Sequence, residues 1–197
     1  MPQPHNAIRS VAVFCGSRSG RDSRYHAAAV ELGHGLAEAG MTLIFGGGRI
    51  GLMGAVADGA LAAGGRVIGV IPDFLQQYEV AHQGCHELIV TDSMHTRKRH
   101  MFERADAFVS FPGGLGTFDE TFEILTWRQL RLHDKPILLC DVAGSAKALA
   151  DLLDGVIADG FASPDVRNLY EVVYGVPDLL ARLSRLGAGV GGDAELL

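Results

Sequence analysis

Twelve residues, PGGLGTFDETFE (Pro112 to Glu123), bring two chemistries together. Gly113, Gly114 and Gly116 carry no side chain to pack, so backbone N–H groups stand open to a ligand. A helix expected to begin near Gly116 or Thr117 adds unpaired donors and a positive dipole end, a combination that suits a phosphate. Carboxylates follow at Asp119, Glu120 and Glu123. On a helix Glu120 and Glu123 share one face and point where the glycine loop points. Asp119 is best read as an acid that complements the first helical turn.

A basic stretch, MHTRKRHMFER (94–104), holds Arg97, Lys98, Arg99 and Arg104, which on one helix cannot share a face. Arg99 and Arg104 read as a solvated surface. Arg97 and Lys98 stand at the helix start, after a strand, where they suit neutralising a phosphate or orienting a carboxylate. His95 and His100 read as surface or packing residues. With no HxxxH, HxH or acidic cluster at metal spacing in the chain, no catalytic metal is expected.

The elements that must position these groups alternate along the chain. Apolar runs SVAVFC (10–15), MTLIF (41–45), RVIGVI (66–71), ELIVT (87–91), AFVSF (107–111), PILLC (136–140) and a short YEVVY read as buried strands. Helical segments separate them, at about 22–39, 51–63, 94–104, 116–132, 145–158 and the C-terminus. This is an α/β pattern: a Rossmann-like, doubly wound parallel sheet covered by helices on both faces. A single domain is expected over residues 8–186, with an N-terminal extension at 1–7 and a flexible glycine-rich tail at 187–197.

Ligands of such sheets bind beyond the carboxyl ends of the strands. Three turns there are glycine-rich: CGSRSG, GGGRIGLMG and PGGLGT. Gly46, Gly48 and Gly51 fit GxGxxG, with Asp73 near the end of the next strand, which keeps a nicotinamide-dependent dehydrogenase open as an alternative. Tight chain reversal and close helix–sheet packing account for Gly40, Gly64 and Gly65 and in part for Gly51 and Gly54. They account poorly for Gly113, Gly114 and Gly116. No GKS or GKT sequence exists, so a P-loop is excluded.

A net charge of -6 argues against nucleic acid as a partner. Cys15, Cys85 and Cys140 are widely spaced and odd in number, and read as reduced thiols of a cytoplasmic protein. No apolar run reaches the length of a membrane span, and the first ten residues lack a signal-peptide core.

The assembled residues resemble the LOG (Lonely Guy) family of cytokinin riboside 5'-monophosphate phosphoribohydrolases. The family signature PGGxGTxxE is matched by Pro112, Gly113, Gly114, Gly116, Thr117 and Glu120. SMHTRK is similar to its second motif, and FCGSR, GGGRIGLMG, EVAHQG and ILTWRQLRLHDKP stand in the expected order. The resemblance covers roughly residues 8 to 185. It implies hydrolysis of the N-glycosidic bond of N6-modified AMP to free base and ribose 5-phosphate, with AMP itself as a further substrate. It implies Arg97 and Glu120 as the catalytic pair. Substrate contacts would come from Glu79, Lys98, Thr126 and the loop Gly113, Gly114, Leu115, Gly116, Thr117, Phe118 and Asp119, flanked by Pro112 and Glu123. Gly16, Ser17, Gly47, Gly48, Met53 and Met94, in the other motifs, complete the expected site. No cofactor is implied, and homodimers with sites near the subunit interface are.

The chemistry of the residues agrees with that picture. Cleaving an N-glycoside builds positive charge on the sugar, which a carboxylate stabilises or answers by activating water. Arg97 would hold Glu120 ionised and in position, and the 5'-phosphate would sit on the amides of Gly113 to Thr117. Members once labelled lysine decarboxylases would need a Schiff-base lysine, and Lys98, Lys135 and Lys147 are the lysines available. Phe118 and Asp119 stand where plant-like members often carry Leu or Met and then Glu, and Leu115 stands where tyrosine is frequent, so the preferred base stays open. A non-catalytic nucleotide-binding module is the other alternative. The helix after the glycine loop carries Phe118, Phe122, Leu125 and Leu132 on one stripe and Trp127 and Leu130 elsewhere. That surplus of apolar positions predicts burial against a second subunit.

Overall fold

Alternation along the strands builds two cores. In β1 (Ser10–Phe14), Val11 and Val13 enter one cluster while Ala12 and Phe14 enter the other. The same division runs through β2 (Thr42–Phe45), β3 (Val67–Pro72), β5 (Ala107–Ser110) and β6 (Ile137–Asp141). Strands buried on both faces have no polar side to show, hence their near-continuous apolar sequence. The computed structural model describes residues 8–76 and 78–188. With β4 (Glu87–Thr91) and β7 (Glu171–Tyr174), the strands form one seven-stranded sheet of order β4-β3-β2-β1-β5-β6-β7, and every pairing is parallel.

Residues of α1 (Ser23–Glu38), α2 (Gly51–Ala62) and α6 (Gly175–Ala188) pack into the first cluster. Those of α3 (Met94–Arg104), α4 (Leu115–Gln129) and α5 (Lys147–Ala158) pack into the second. The chain winds outward from β1 in both directions, so the loops after β1 and β5 diverge at the switch point where such sheets bind ligands. Among the described residues no helix is long and apolar enough to cross a membrane.

Several expectations shift. α4 begins at Leu115, with Gly114 as its cap, and ends at Gln129 rather than near Leu132. Its first turn holds no acid, so Asp119 does not serve the dipole there. α6 runs through Gly187 and Ala188, into the stretch expected as a tail, while residues 1–7 and 189–197 lie outside the described residues. Trp127 is satisfied within its own chain, its ring meeting Phe102 of α3 edge-on at 4.9 Å, so it gives no reason to invoke a second subunit.

Candidate active site

Arg97 is where the site starts. Ser93 caps α3 by accepting from the Thr96 N–H, and one turn on Arg97 points inward, 5% exposed. Its Nε donates to the Val70 carbonyl (3.1 Å) and a terminal nitrogen to the Gly46 carbonyl (3.2 Å), clamping the side chain beneath the ends of β3 and β2. The other terminal nitrogen faces Met94 Sδ at 3.7 Å and Glu120 Oε1 at 3.5 Å. The glycine turn after β2 makes room for this. A Cβ on Gly46 would collide with the guanidinium and with Met53 Sδ, so the turn read as part of GxGxxG is a seat for Arg97.

Glu120 is buried on α4, 6% exposed. Burial pushes its carboxyl up to about 7, Asp119 and Glu79 adding to the rise while Arg97 and Lys98 oppose it. Arg97 was expected to hold Glu120 ionised. It does not outweigh desolvation, because two of its donor groups are committed to carbonyls and the contact with Glu120 is long.

Glu79 arrives from the loop after β3. That loop folds back over the β2 turn: Ala81 bridges Gly48, the His82 N–H donates to the Gly47 carbonyl, and the Arg49 N–H donates to the carbonyls of Glu79 and Val80. Glu79 Oε2 is buried and has no hydrogen-bond partner among the described residues. Burial raises this carboxyl's pKa, against the pull of Arg97. Cys15, directly after β1, is the residue sequence reasoning missed. Its buried thiol is kept protonated by desolvation and lies within the fields of Glu120, Arg97 and Glu79. Its place at the carboxyl end of the first strand was the available signal.

Lys98 bridges α3 to α4, its Nζ 3.0 Å from Glu123 and 3.1 Å from Asp119. Burial works against its charge, but these two carboxylates outweigh that and hold it above the ordinary lysine value. Thr126 is exposed one turn beyond Glu123, its hydroxyl donating to the Phe122 carbonyl.

The glycine loop divides by function. Gly113 is explained by packing after all, since a Cβ there would strike Thr117 and come within 3.0 Å of the Gly16 N. Gly114 and Gly116 have nothing within 4 Å of that position, so their faces are open. No side chain caps α4, leaving its first amides for a ligand. Beside the loop lies a cleft of about 630 Å³. Gly16, Ser17, Pro112, Gly113, Gly114, Leu115 and Phe118 line it, with Ser145 and Leu149 across from them. Arg97, Lys98, Glu79, Glu120 and Glu123 do not line this cleft. Arg97 and Lys98 meet Glu120 and Glu123 on the flank of α4 that faces α3, and Glu79 enters from the loop after β3.

The second glycine turn is no anion site. Gly16 O accepts from the Leu52 and Met53 N–H groups, so the start of α2 is already capped, and Asp73 is engaged by Gln76. A dinucleotide pyrophosphate has no seat there, which removes the basis of the dehydrogenase alternative. None of the lysines stands alone either: Lys135 donates to the Phe102 carbonyl and Lys147 pairs with Asp151.

Comparison with known proteins gives the family. A family model described as "Possible lysine decarboxylase" matches residues 53–183. The cytokinin riboside 5'-monophosphate phosphoribohydrolase LOG2 of Arabidopsis thaliana is 39% identical over 183 residues, 93% of this chain and 86% of its own. The cytokinin riboside 5'-monophosphate phosphoribohydrolase of Rhodococcoides fascians is 40% identical over 176 residues, 89% of each chain. The chain belongs to the LOG family. Among solved structures, a molybdenum cofactor binding protein from Rippkaea orientalis matches with a TM-score of 0.69 at 21% identity, covering 91% of this chain and 97% of that one. The Moco carrier protein of Chlamydomonas reinhardtii matches with a TM-score of 0.69 at 24% identity, over 92% and 98%. Below 25% identity these show the chain's fold and no more.

Proposed function

We propose that this chain hydrolyses the N-glycosidic bond of cytokinin riboside 5'-monophosphates, and of AMP, releasing the free base and ribose 5-phosphate. The observation that carries the reading is a buried carboxyl, Glu120, set 3.5 Å from Arg97 on a helix whose open first turn can hold the phosphate. A protein that merely binds an anionic nucleotide gains nothing from a carboxylate buried next to it.

In the proposed reaction the 5'-phosphate rests on the amides of Gly114 to Thr117. The ribose then lies toward Glu120, whose ionised form stabilises the developing oxocarbenium charge and accepts a proton from the attacking water. Arg97 orients Glu120. Lys98 joins Asp119 and Glu123 into a charged rim. Gly16, Ser17, Gly47, Gly48, Met53, Met94, Leu115, Phe118 and Thr126 complete the proposed contacts. We place the protein in the cytoplasm, in keeping with three free cysteines. We read it as a homodimer, supported by Leu130 and Leu132, which stay 63% and 66% exposed at the end of α4.

The test is direct. The protein is incubated with AMP and with isopentenyladenosine 5'-monophosphate, and free base and ribose 5-phosphate are measured by chromatography. Release of both in equal amounts is expected. Nucleotide binding without base release would make the chain a binding module.

A further inference from the structure

We propose that Glu79 is the general acid that protonates the departing base, while Glu120 acts on the sugar. The proposal rests on the hydrolase reading above and assigns a step that reading leaves open.

A purine leaves poorly as an anion, so a proton must reach one of its ring nitrogens as the bond to the sugar breaks. The other groups at the site are unsuited to giving it. A guanidinium does not release its proton near neutral pH. Lys98 is held by two carboxylates. The Cys15 thiol is sealed in the core. His82 is engaged at both ring nitrogens, Nε2 with Asp58 at 2.9 Å and Nδ1 accepting from the Gly84 N–H at 3.1 Å. Glu79 is the exception: a carboxyl with a buried oxygen that makes no hydrogen bond among the described residues. An unpartnered buried oxygen is costly, and a ligand atom would relieve it.

The chain fixes Glu79 in place. Its N–H donates to the Leu75 carbonyl at 2.9 Å and its carbonyl accepts from Arg49 at 3.1 Å. Gly48, lacking a Cβ, lets the Glu79 Cβ come within 3.1 Å of that position. The charged and titratable groups facing it are Arg97 from α3, Glu120 from α4 and Cys15 from the end of β1. Two carboxyls in one field with a single committed arginine titrate as a pair that shares a proton, and the bound substrate sets where it sits. A ring nitrogen against Glu79 Oε2 draws the proton there, while the developing charge on the sugar favours ionised Glu120.

The step balances. The C1'–N9 bond breaks with its electron pair going to the purine, and the Glu79 proton passes to a ring nitrogen. Water oxygen bonds to C1', and a water proton passes to the Glu120 carboxylate. Glu120 ends protonated and Glu79 ionised, and proton exchange through solvent restores both.

The experiment compares wild type with Glu79→Gln on AMP and on N7-methylated AMP, whose base departs neutral without receiving a proton. On AMP, kcat should fall by about 100-fold with KM changed only a few-fold, and the falling alkaline limb of kcat/KM should vanish. On the methylated nucleotide the variant should match wild type. Glu79→Asp, which keeps a proton, should retain the alkaline limb at a lower kcat, and it serves if the glutamine variant does not fold. Equal losses on both substrates, or an unchanged rate and alkaline limb on AMP, overturn the proposal. A wild type that releases base from neither nucleotide sinks the hydrolase reading itself, a distinguishable result.

Discussion

The Arg97 guanidinium lies 3.5 Å from Glu120 Oε1, yet its Nε and one terminal nitrogen are given to the carbonyls of Val70 and Gly46. Those bonds fix the arginine whether or not Glu120 is charged. A bidentate pair would hold the carboxylate ionised at all working pH values. Here burial prevails, and Glu120 is left close to its titration midpoint at neutral pH.

The first prediction concerns pH. If ionised Glu120 performs the sugar chemistry, kcat/KM rises through an acid limb with a midpoint near 7. A limb near the ordinary value of 4.5 would show that the free enzyme holds Glu120 charged throughout.

Glu120→Gln should abolish base release while leaving nucleotide affinity within about tenfold, or roughly 1.4 kcal/mol. It should also stabilise the fold, with a definite pH signature. The folded-state pKa lies above the unfolded one, so the native protein binds more protons than the unfolded chain between about 4.5 and about 7. Wild-type stability therefore falls across that window, and the full cost, of order 3 kcal/mol, is present above it. The variant lacks this loss, so its advantage in Tm should be small at pH 4.5 and largest at pH 8. Parallel unfolding curves at both pH values would refute the buried ionisation cost.

The sheet, its two helical layers and the place of the glycine loop were legible because β1, β2, β3, β5 and β6 are apolar on both faces and PGGLGT stands at a strand's carboxyl end. Arg97 and Glu120 were legible as residues, but not the balance between them. That balance depends on carbonyls 27 and 51 residues from the arginine. Trp127 misled because its partner, Phe102, comes from another helix that helical periodicity along α4 cannot reveal. Gly113 and Gly114 are adjacent and identical in sequence, yet one is packed and the other open, a distinction only the approach of Thr117 and Gly16 makes.

Gly46→Ala tests whether the turn after β2 exists to seat Arg97. The added methyl would collide with the guanidinium and with Met53, so the arginine must move away from Glu120. Overpacking of this kind costs about 1–3 kcal/mol. Activity should fall much further than stability, through kcat, since the glycine loop before α4 is untouched. Wild-type turnover in a folded Gly46→Ala variant would separate Arg97's position from catalysis.

The last prediction separates phosphate binding from packing within one loop. Gly116 lies in the first turn of α4 and its missing Cβ points into open space, so Gly116→Ala should be neutral or stabilising by up to about 1 kcal/mol. If a phosphate occupies that space, the same methyl intrudes on it, and KM for the monophosphate should rise at least about tenfold. Wild type should also cleave the monophosphate about 100-fold better than the matching nucleoside, the scale of one or two charge-assisted hydrogen bonds, and the variant should lose much of that preference. Gly113→Ala should behave in the opposite way, lowering Tm because its methyl strikes Thr117. A Gly116→Ala variant with unchanged KM and unchanged preference would remove the phosphate from the start of α4.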